Sequence, residues 1–167
     1  MNIRSLEESD AKVYQELRLN ALKLNPEAFG STYEREVHFK LETVIERLKP
    51  TDDKFTLGYF NDEHLVAIVT FVREGGTKTA HKGNIYGMFV MPELRGQNVG
   101  KTLLLELIKK ASHYDGLEQI NLTVVSDNKP AKNLYISLGF EVYGVEKNAL
   151  KFNGQYFDED LMVLKLG

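Results

Sequence analysis

The chain has no cysteine, which excludes disulfides, thiolate metal ligands and a cysteine acyl-enzyme, and fits a reducing compartment. It has no surplus of positive charge either. Its 21 Lys and Arg stand against 24 Asp and Glu, a formal net charge of −3, so electrostatics gives no support to a nucleic-acid partner. No apolar run approaches the roughly 18 residues of a membrane span. The opening Met1-Asn2-Ile3-Arg4-Ser5 lacks the basic-then-apolar order of a secretion signal. Internal repeats, low-complexity tracts and Pro/Ser-rich linkers are missing too, and His38, His64, His81 and His113 show no metal-ligand spacing. These absences point to a cytoplasmic enzyme or a small binding module, with no metal and with neither membrane nor nucleic acid as partner.

What is present suits a single domain over 1–167: 43% of residues are hydrophobic and 27% charged, the balance of an ordinary globular protein. Residues 3–6 read as a strand. Ser9 then caps a helix whose apolar positions Val13, Leu17, Ala21 and Leu24 recur at helical spacing. Asn25-Pro26 ends it, 27–39 reads as loop, and 41–48 as a second helix. Segments 55–60 and 65–72, rich in aromatic and β-branched residues, predict a hairpin joined through Asn61-Asp62. After a polar stretch at 74–83 come a strand at 85–90, a helix at 99–112 with Leu103, Leu104, Leu107, Ile108 and Ala111 on one face, and a strand at 120–125. A helix at 131–138 and a strand at 140–145 follow, and Asn153-Gly154 turns the chain into a last strand at 156–166. Such a mixture is an α+β sheet domain.

The most informative stretch is Val90-Met91-Pro92-Glu93-Leu94-Arg95-Gly96-Gln97-Asn98-Val99-Gly100-Lys101. A strand ends, a glycine-bearing turn follows, and a strong helix starts at once. Unpaired N–H groups at the helix start, together with its dipole, make a seat for phosphate or diphosphate. Gly96 permits close approach of a ligand, and Gly100 lets the first helical turn sit near it. Residues 96–102 also read G-x-x-x-G-K-T, one residue short of a nucleotide-triphosphatase P-loop. No apolar strand ends in the acidic residue that such a site uses for magnesium, so that reading is disfavoured.

The same stretch resembles the acetyl-CoA-binding segment of the GCN5-related N-acetyltransferase (GNAT) superfamily, [RQ]-x-x-G-x-[GA] after a strand. Arg95 opens the pattern and Gly100 closes it, while Asn98 stands at the middle glycine and is the non-glycine residue that best tolerates a left-handed backbone. About thirty residues on, Asn128-Lys129-Pro130-Ala131-Lys132-Asn133-Leu134-Tyr135-Ile136-Ser137-Leu138-Gly139-Phe140 resembles the family's N-x-x-A-x-x-L-Y-x-x-x-G-F. The two motifs, in order and on matching elements, make the resemblance specific. It implies an α+β fold with a mixed, mostly antiparallel twisted sheet of about seven strands, flanked by about four helices, in which 85–90 and 120–125 form a splayed parallel pair.

It further implies that acetyl-CoA, the acetyl-donor cosubstrate, enters that splay, its pantetheine arm pairing with the backbone of Met88, Phe89 and Val90. The diphosphate would lie on Arg95, Gly96, Gln97, Asn98, Val99, Gly100 and Lys101, and Asn128 would contact the cofactor while capping its own helix. The acceptor would be the primary amine of a small molecule, an amino acid or a peptide. With no cysteine, direct attack in a ternary complex is favoured over a covalent enzyme intermediate. A backbone N–H near Val90 would face the thioester carbonyl, and Tyr135 would be the proton donor to the departing thiolate. Ordinary values of about 8.5 for a thiol and about 10 for a tyrosine make full transfer uphill by roughly 2 kcal/mol; the bland alternative for Tyr135 is packing. Lys101, Lys129 and Lys132 are further candidates for phosphate contact.

The base is open. Some relatives carry a glutamate five residues before the motif asparagine, where this chain has Thr123; Glu34, Glu36, Asp158 and Glu159 are the other carboxylates in range. The alternative function is a non-catalytic acyl-CoA sensor with the same fold. The oligomeric state is open as well, a homodimer among the options.

Overall fold

The structure, a computed structural model, describes residues 2–167. In chain order the elements are β1 (Asn2–Ser5), α1 (Ala11–Leu24), α2 (Tyr33–Glu36), α3 (Leu41–Leu48), β2 (Lys54–Asn61), β3 (His64–Arg73), β4 (Lys82–Val90), α4 (Val99–Ala111), β5 (Gln119–Val125), α5 (Lys129–Ser137), β6 (Glu141–Phe152) and β7 (Gln155–Lys165). The seven strands form one sheet in the order β1-β2-β3-β4-β5-β7-β6, antiparallel except for β4 against β5. The expected architecture is present, with a fifth, four-residue helix too short to leave a periodic pattern.

Alternation along β3 explains the layering. Ala67, Val69 and Phe71 face one side with Leu103, Leu104 and Leu107 of α4 and Tyr135 of α5. Ile68 faces the other with Phe89, Leu17 and Ala21 of α1, and Val44 and Leu48 of α3. Helices therefore cover both faces, and the sheet is buried through its middle.

Local chemistry moves some boundaries. Asp10, not Ser9, stands at the N-cap position of α1 but gives it no side-chain cap; its carboxylate instead accepts the Glu7 N–H at 2.8 Å, closing a 3-10 turn over Glu8–Asp10, and is held by both terminal nitrogens of Arg4. The 27–39 stretch read as loop contains α2, capped by Thr32, whose hydroxyl accepts the Arg35 N–H at 3.2 Å. The tight turn after β2 is centred one residue later than expected: Asn61 pairs with His64, and Asp62 takes the positive φ of 57°. Asn153 and Gly154 both have positive φ, as their sequence implies. Strand β6 runs on to Phe152, past the expected 145, because it stays paired with β7 beyond a register break between Glu146 and Leu150.

The break that matters most is in β4. Its parallel ladder with β5 covers only Lys82–Asn84 against Gln119–Asn121. Beyond it, β4 is held by β3 through a register shift between Ile68 and Thr70, with Gly87 inside the bulge at φ +62°. A bulge bends and twists its strand, and glycine supplies the left-handed backbone without a Cβ penalty. Strand β5 is meanwhile kept straight by β7 along its whole length, Gln119–Val125. The two strands therefore diverge at their C-terminal ends, and the expected splay of 85–90 from 120–125 begins where the ladder stops.

Candidate active site

The splay opens into a cavity of about 1010 Å³, bounded by β4, β5, the start of α4, α5 and the turn after α1. Its β4 wall is made by backbone. Val90 and Ala67 form a narrow pair, since the Met91 N–H donates to the Val66 carbonyl at 3.0 Å. Such a pair exchanges no ladder bonds with each other, so Val90 turns both polar groups away from β3 and into the splay. Its carbonyl accepts the Arg95 Nε–H at 3.0 Å. The Val90 N–H is left facing the cavity.

At the mouth, Asn98 precedes α4 at φ +63°, ψ +14° and gives no side-chain cap. The first helical bond runs from the Thr102 N–H to the Asn98 carbonyl at 2.9 Å, so the N–H groups of Val99, Gly100 and Lys101 have no acceptor within the helix. Three uncapped donors at the positive end of a helix dipole form an anion seat. The helix is drawn there by Gly100: an added Cβ would meet Met88 Cε at 3.1 Å, Leu134 Cδ2 at 3.3 Å and Val90 Cγ2 at 3.4 Å. Arg95 acts as a brace. Besides Val90 it donates to Asn25 Oδ1 at 2.9 Å and lies over the Phe89 ring, tying the loop to the end of α1.

Of the residues singled out in the sequence, Met88, Phe89, Val90, Arg95, Gly96, Asn98, Val99, Gly100, Lys101, Asn128 and Tyr135 all border this cavity. Gln97 does not; its amide donates to the Glu93 carbonyl at 3.2 Å. Asn128 caps α5 as expected, accepting the Ala131 N–H at 3.3 Å. Lys132 is committed elsewhere, 2.6 Å from Asp160, which also accepts from the Ser126 hydroxyl at 2.5 Å. That pair fastens α5 to β7 and so fixes where Tyr135 sits. Tyr135 is 7% exposed, edge-on to Phe140, and burial pushes its hydroxyl up to about 12. It is neutral at any physiological pH and available as a donor.

The opposite end is built from side chains. Arg18 of α1, only 8% exposed, donates through Nε and Nη2 to the two carboxylate oxygens of Glu36 at 3.1 and 3.0 Å, with Phe29 beneath its guanidinium at 5.1 Å. Glu36 is fully buried and takes a second partner, Arg47 Nη1, at 3.2 Å. Burial alone would raise its pKa, but hydrogen bonds from Arg18 and Ser31 and the two arginine charges hold it at about 2.

Glu36 is thereby corrected from candidate base to ion-pair anchor. Asp158 is committed too, held below the usual carboxylate range by the Asn148 N–H and Lys147. Neither Asp158 nor Glu34 borders the cavity. Glu159 does, and burial followed by the neighbouring Glu146 raises its pKa, the shift a general base needs. Nothing in the sequence separated Glu159 from the other acids, since its selection depends on the β5–β7 register, which sets it beside Val125. Arg18 was missed for a similar reason, as its partner lies 18 residues away in a segment read as loop.

A family model described as an acetyltransferase (GNAT) domain matches residues 3–161. The chain is similar to the L-amino acid N-acetyltransferase AaaT of Escherichia coli, 33% identical over 73 residues that make up 44% of this chain and 45% of that protein. The match thus spans less than half of that relative. Its fold is shared with a GNAT-family acetyltransferase from Streptococcus pneumoniae, with a TM-score of 0.89 at 22% identity over 99% of both chains. It is shared as well with an acetyltransferase from Salmonella typhimurium solved with its cofactor acetyl-CoA, with a TM-score of 0.81 at 20% identity over 100% of this chain and 94% of that one.

Proposed function

The chain belongs to the GNAT acetyltransferase family, and we propose that it is a cytoplasmic, single-domain N-acetyltransferase. It moves the acetyl group of acetyl-CoA, the donor used by this family, to a primary amine of a small molecule, amino acid or peptide. The observation that carries this reading is the meeting in one cavity of a cleft-facing Val90 N–H, the uncapped start of α4 and the neutral hydroxyl of Tyr135. These groups suit a long ligand with a diphosphate at one end and a reactive thioester at the other. The uncapped N–H groups of Val99, Gly100 and Lys101 hold the diphosphate. The free strand edge of β4 receives the pantetheine amides as an added strand would.

The bound donor supplies an activated acyl carbon, and the protein supplies three things around it. The Val90 N–H faces the oxygen on which negative charge develops, a fixed donor that costs no reorganisation during reaction. Tyr135 faces the departing sulfur. With its pKa near 12, handing a full proton to a thiolate of about 8.5 would be uphill by about 5 kcal/mol, more than twice what an ordinary tyrosine implies. Its role is therefore a hydrogen bond that strengthens as charge builds. Glu159 takes the proton from the acceptor ammonium, directly or through one water. Thr123 had left the chain without the base that some relatives carry, which favoured the sensor alternative. A carboxylate of raised pKa on the same cavity weakens that basis.

The test is thiol release from acetyl-CoA with a panel of primary amines, with acetylated product followed by mass spectrometry. Amine-dependent release with matching product is expected. Tyr135→Phe should lower kcat by roughly ten- to a thousand-fold with little change in the KM for acetyl-CoA, and Glu159→Gln by a similar factor. Tight acetyl-CoA binding without transfer to any amine would make the protein the sensor instead.

A further inference from the structure

The ion-pair cluster behind the cavity wall at Arg18 is unevenly matched. Two arginines, Arg18 and Arg47, share one carboxylate, Glu36, so the cluster keeps a net positive charge in a largely buried position. Arg47 is partly open to solvent, whereas the Arg18 side chain is 9% exposed. One edge of the Arg18 guanidinium, the Nε–Nη2 fork, is used by Glu36. The remaining nitrogen, Nη1, has no hydrogen-bond partner among the described residues. It lies beside the β4 bulge, 3.5 Å from where a Cβ at Gly87 would stand, and Arg18, Phe29 and Gly87 all border the cavity.

A guanidinium carries five N–H donors and cannot be deprotonated in a protein. Where such an edge opens on a cavity, as Arg18 does, a ligand acceptor can take the place of water on it. Glu36 fixes the orientation of the group and Phe29 supports its face, so the free edge is aimed before any ligand arrives. The geometry is that of a preorganised clamp for an anionic group.

Resting on the acetyltransferase reading above, we propose that the acceptor is a free amino acid whose carboxylate is bound by Arg18 Nη1. The same cavity carries opposite charge on Glu27 and Glu159, which suits the ammonium end of such a zwitterion. A protein N-terminus, whose first carboxylate is tied up as an amide, would leave the Arg18 edge unmatched. A polyamine would place a cation against it.

The experiment needs no variant at first. The wild-type protein is assayed for acetyl transfer to the primary-amine L-amino acids of proteins, each paired with the amine that lacks its α-carboxylate. At least one amino acid should be acetylated with a kcat/KM at least about tenfold above that of its decarboxylated partner, because a site built to bind a polar group rejects an analogue without it. Arg18→Lys, which keeps a cation for Glu36 but not the planar fork, should collapse that ratio chiefly by raising the KM for the amino acid.

Equal or better use of the decarboxylated amines overturns the proposal while leaving the acetyltransferase reading intact. A parallel loss for both acceptors in Arg18→Lys also overturns it, since Arg18 would then only hold the fold together. No transfer to any member of either series overturns the amino-acid proposal alone, and the acetyltransferase reading is then decided by the wider amine panel above.

Discussion

The two ends of the cavity are made of different material. The end proposed for the donor is backbone: the Val90 N–H, the N–H groups that begin α4, and a free strand edge held open by the bulge at Gly87. The end proposed for the acceptor is side chains brought from far apart: Arg18 from α1 and Glu159 from β7 border the cavity, and Glu36 from α2 and Arg47 from α3 hold Arg18 from behind. Backbone groups are identical in every member of a family, so a donor end built from them can serve one cosubstrate whatever residues surround it. A charged side-chain cluster can be exchanged piece by piece, which is how one fold takes many acceptors.

The comparison predicts different fragilities. The largest effect belongs to the acceptor end. Glu36 has a carboxyl at about 2 against an ordinary 4.5. Its folded-state pKa is depressed, so its stabilisation is present above the unfolded value and is lost as pH falls toward the folded one. The shift corresponds to about 3 kcal/mol in all. Urea unfolding at pH 7 should show Glu36→Gln less stable than wild type by about that amount, and by pH 3 the gap should shrink by about 2 kcal/mol. A gap below about 1 kcal/mol at pH 7, the value of a surface pair, would break the comparison by making the cluster ornamental.

The donor end should yield smaller changes. Asn98 holds φ +63° at the start of α4. Asn98→Gly removes the strain of that backbone and should preserve both stability and coenzyme A affinity. Asn98→Val places a β-branched side chain there and should cost about 1–2 kcal/mol with weaker affinity. Equal affinity of the two variants, measured by calorimetry, would mean that the turn geometry does not shape the anion seat.

The same contrast explains what could be read from the sequence. The anion seat was legible because its chemistry is local: a strand, a turn and a helix start occupy a dozen consecutive residues, while the left-handed backbone of Asn98 followed from its standing at the glycine of the family pattern, as a residue that tolerates it. Asn128 as a cap and Tyr135 on its helix were legible for the same reason, being set by spacing within α5. The strand order around β4 and β5 followed from family resemblance, not from periodicity.

Other features were not legible because they are properties of register and distance. The Asp10–Arg4 pair just before α1, where a Ser9 cap was expected, depends on how β1 meets the helix. Lys132 looked like a phosphate ligand until β7 placed Asp160 against it. That Glu159 alone of the four carboxylates borders the cavity, and that Arg18 pairs with Glu36, needed the fold.

The central claim is that the start of α4 and the open edge of β4 together form a seat for acetyl-CoA. Thermal unfolding with increasing ligand tests it most directly, because a ligand that binds only the native state stabilises by RT ln(1 + [L]/Kd), about 2.7 kcal/mol at a hundred times Kd. Acetyl-CoA should raise the melting temperature progressively with concentration, and ATP with magnesium should shift it far less. A larger shift with ATP and magnesium would contradict the account and return the Gly96–Thr102 segment to the P-loop reading.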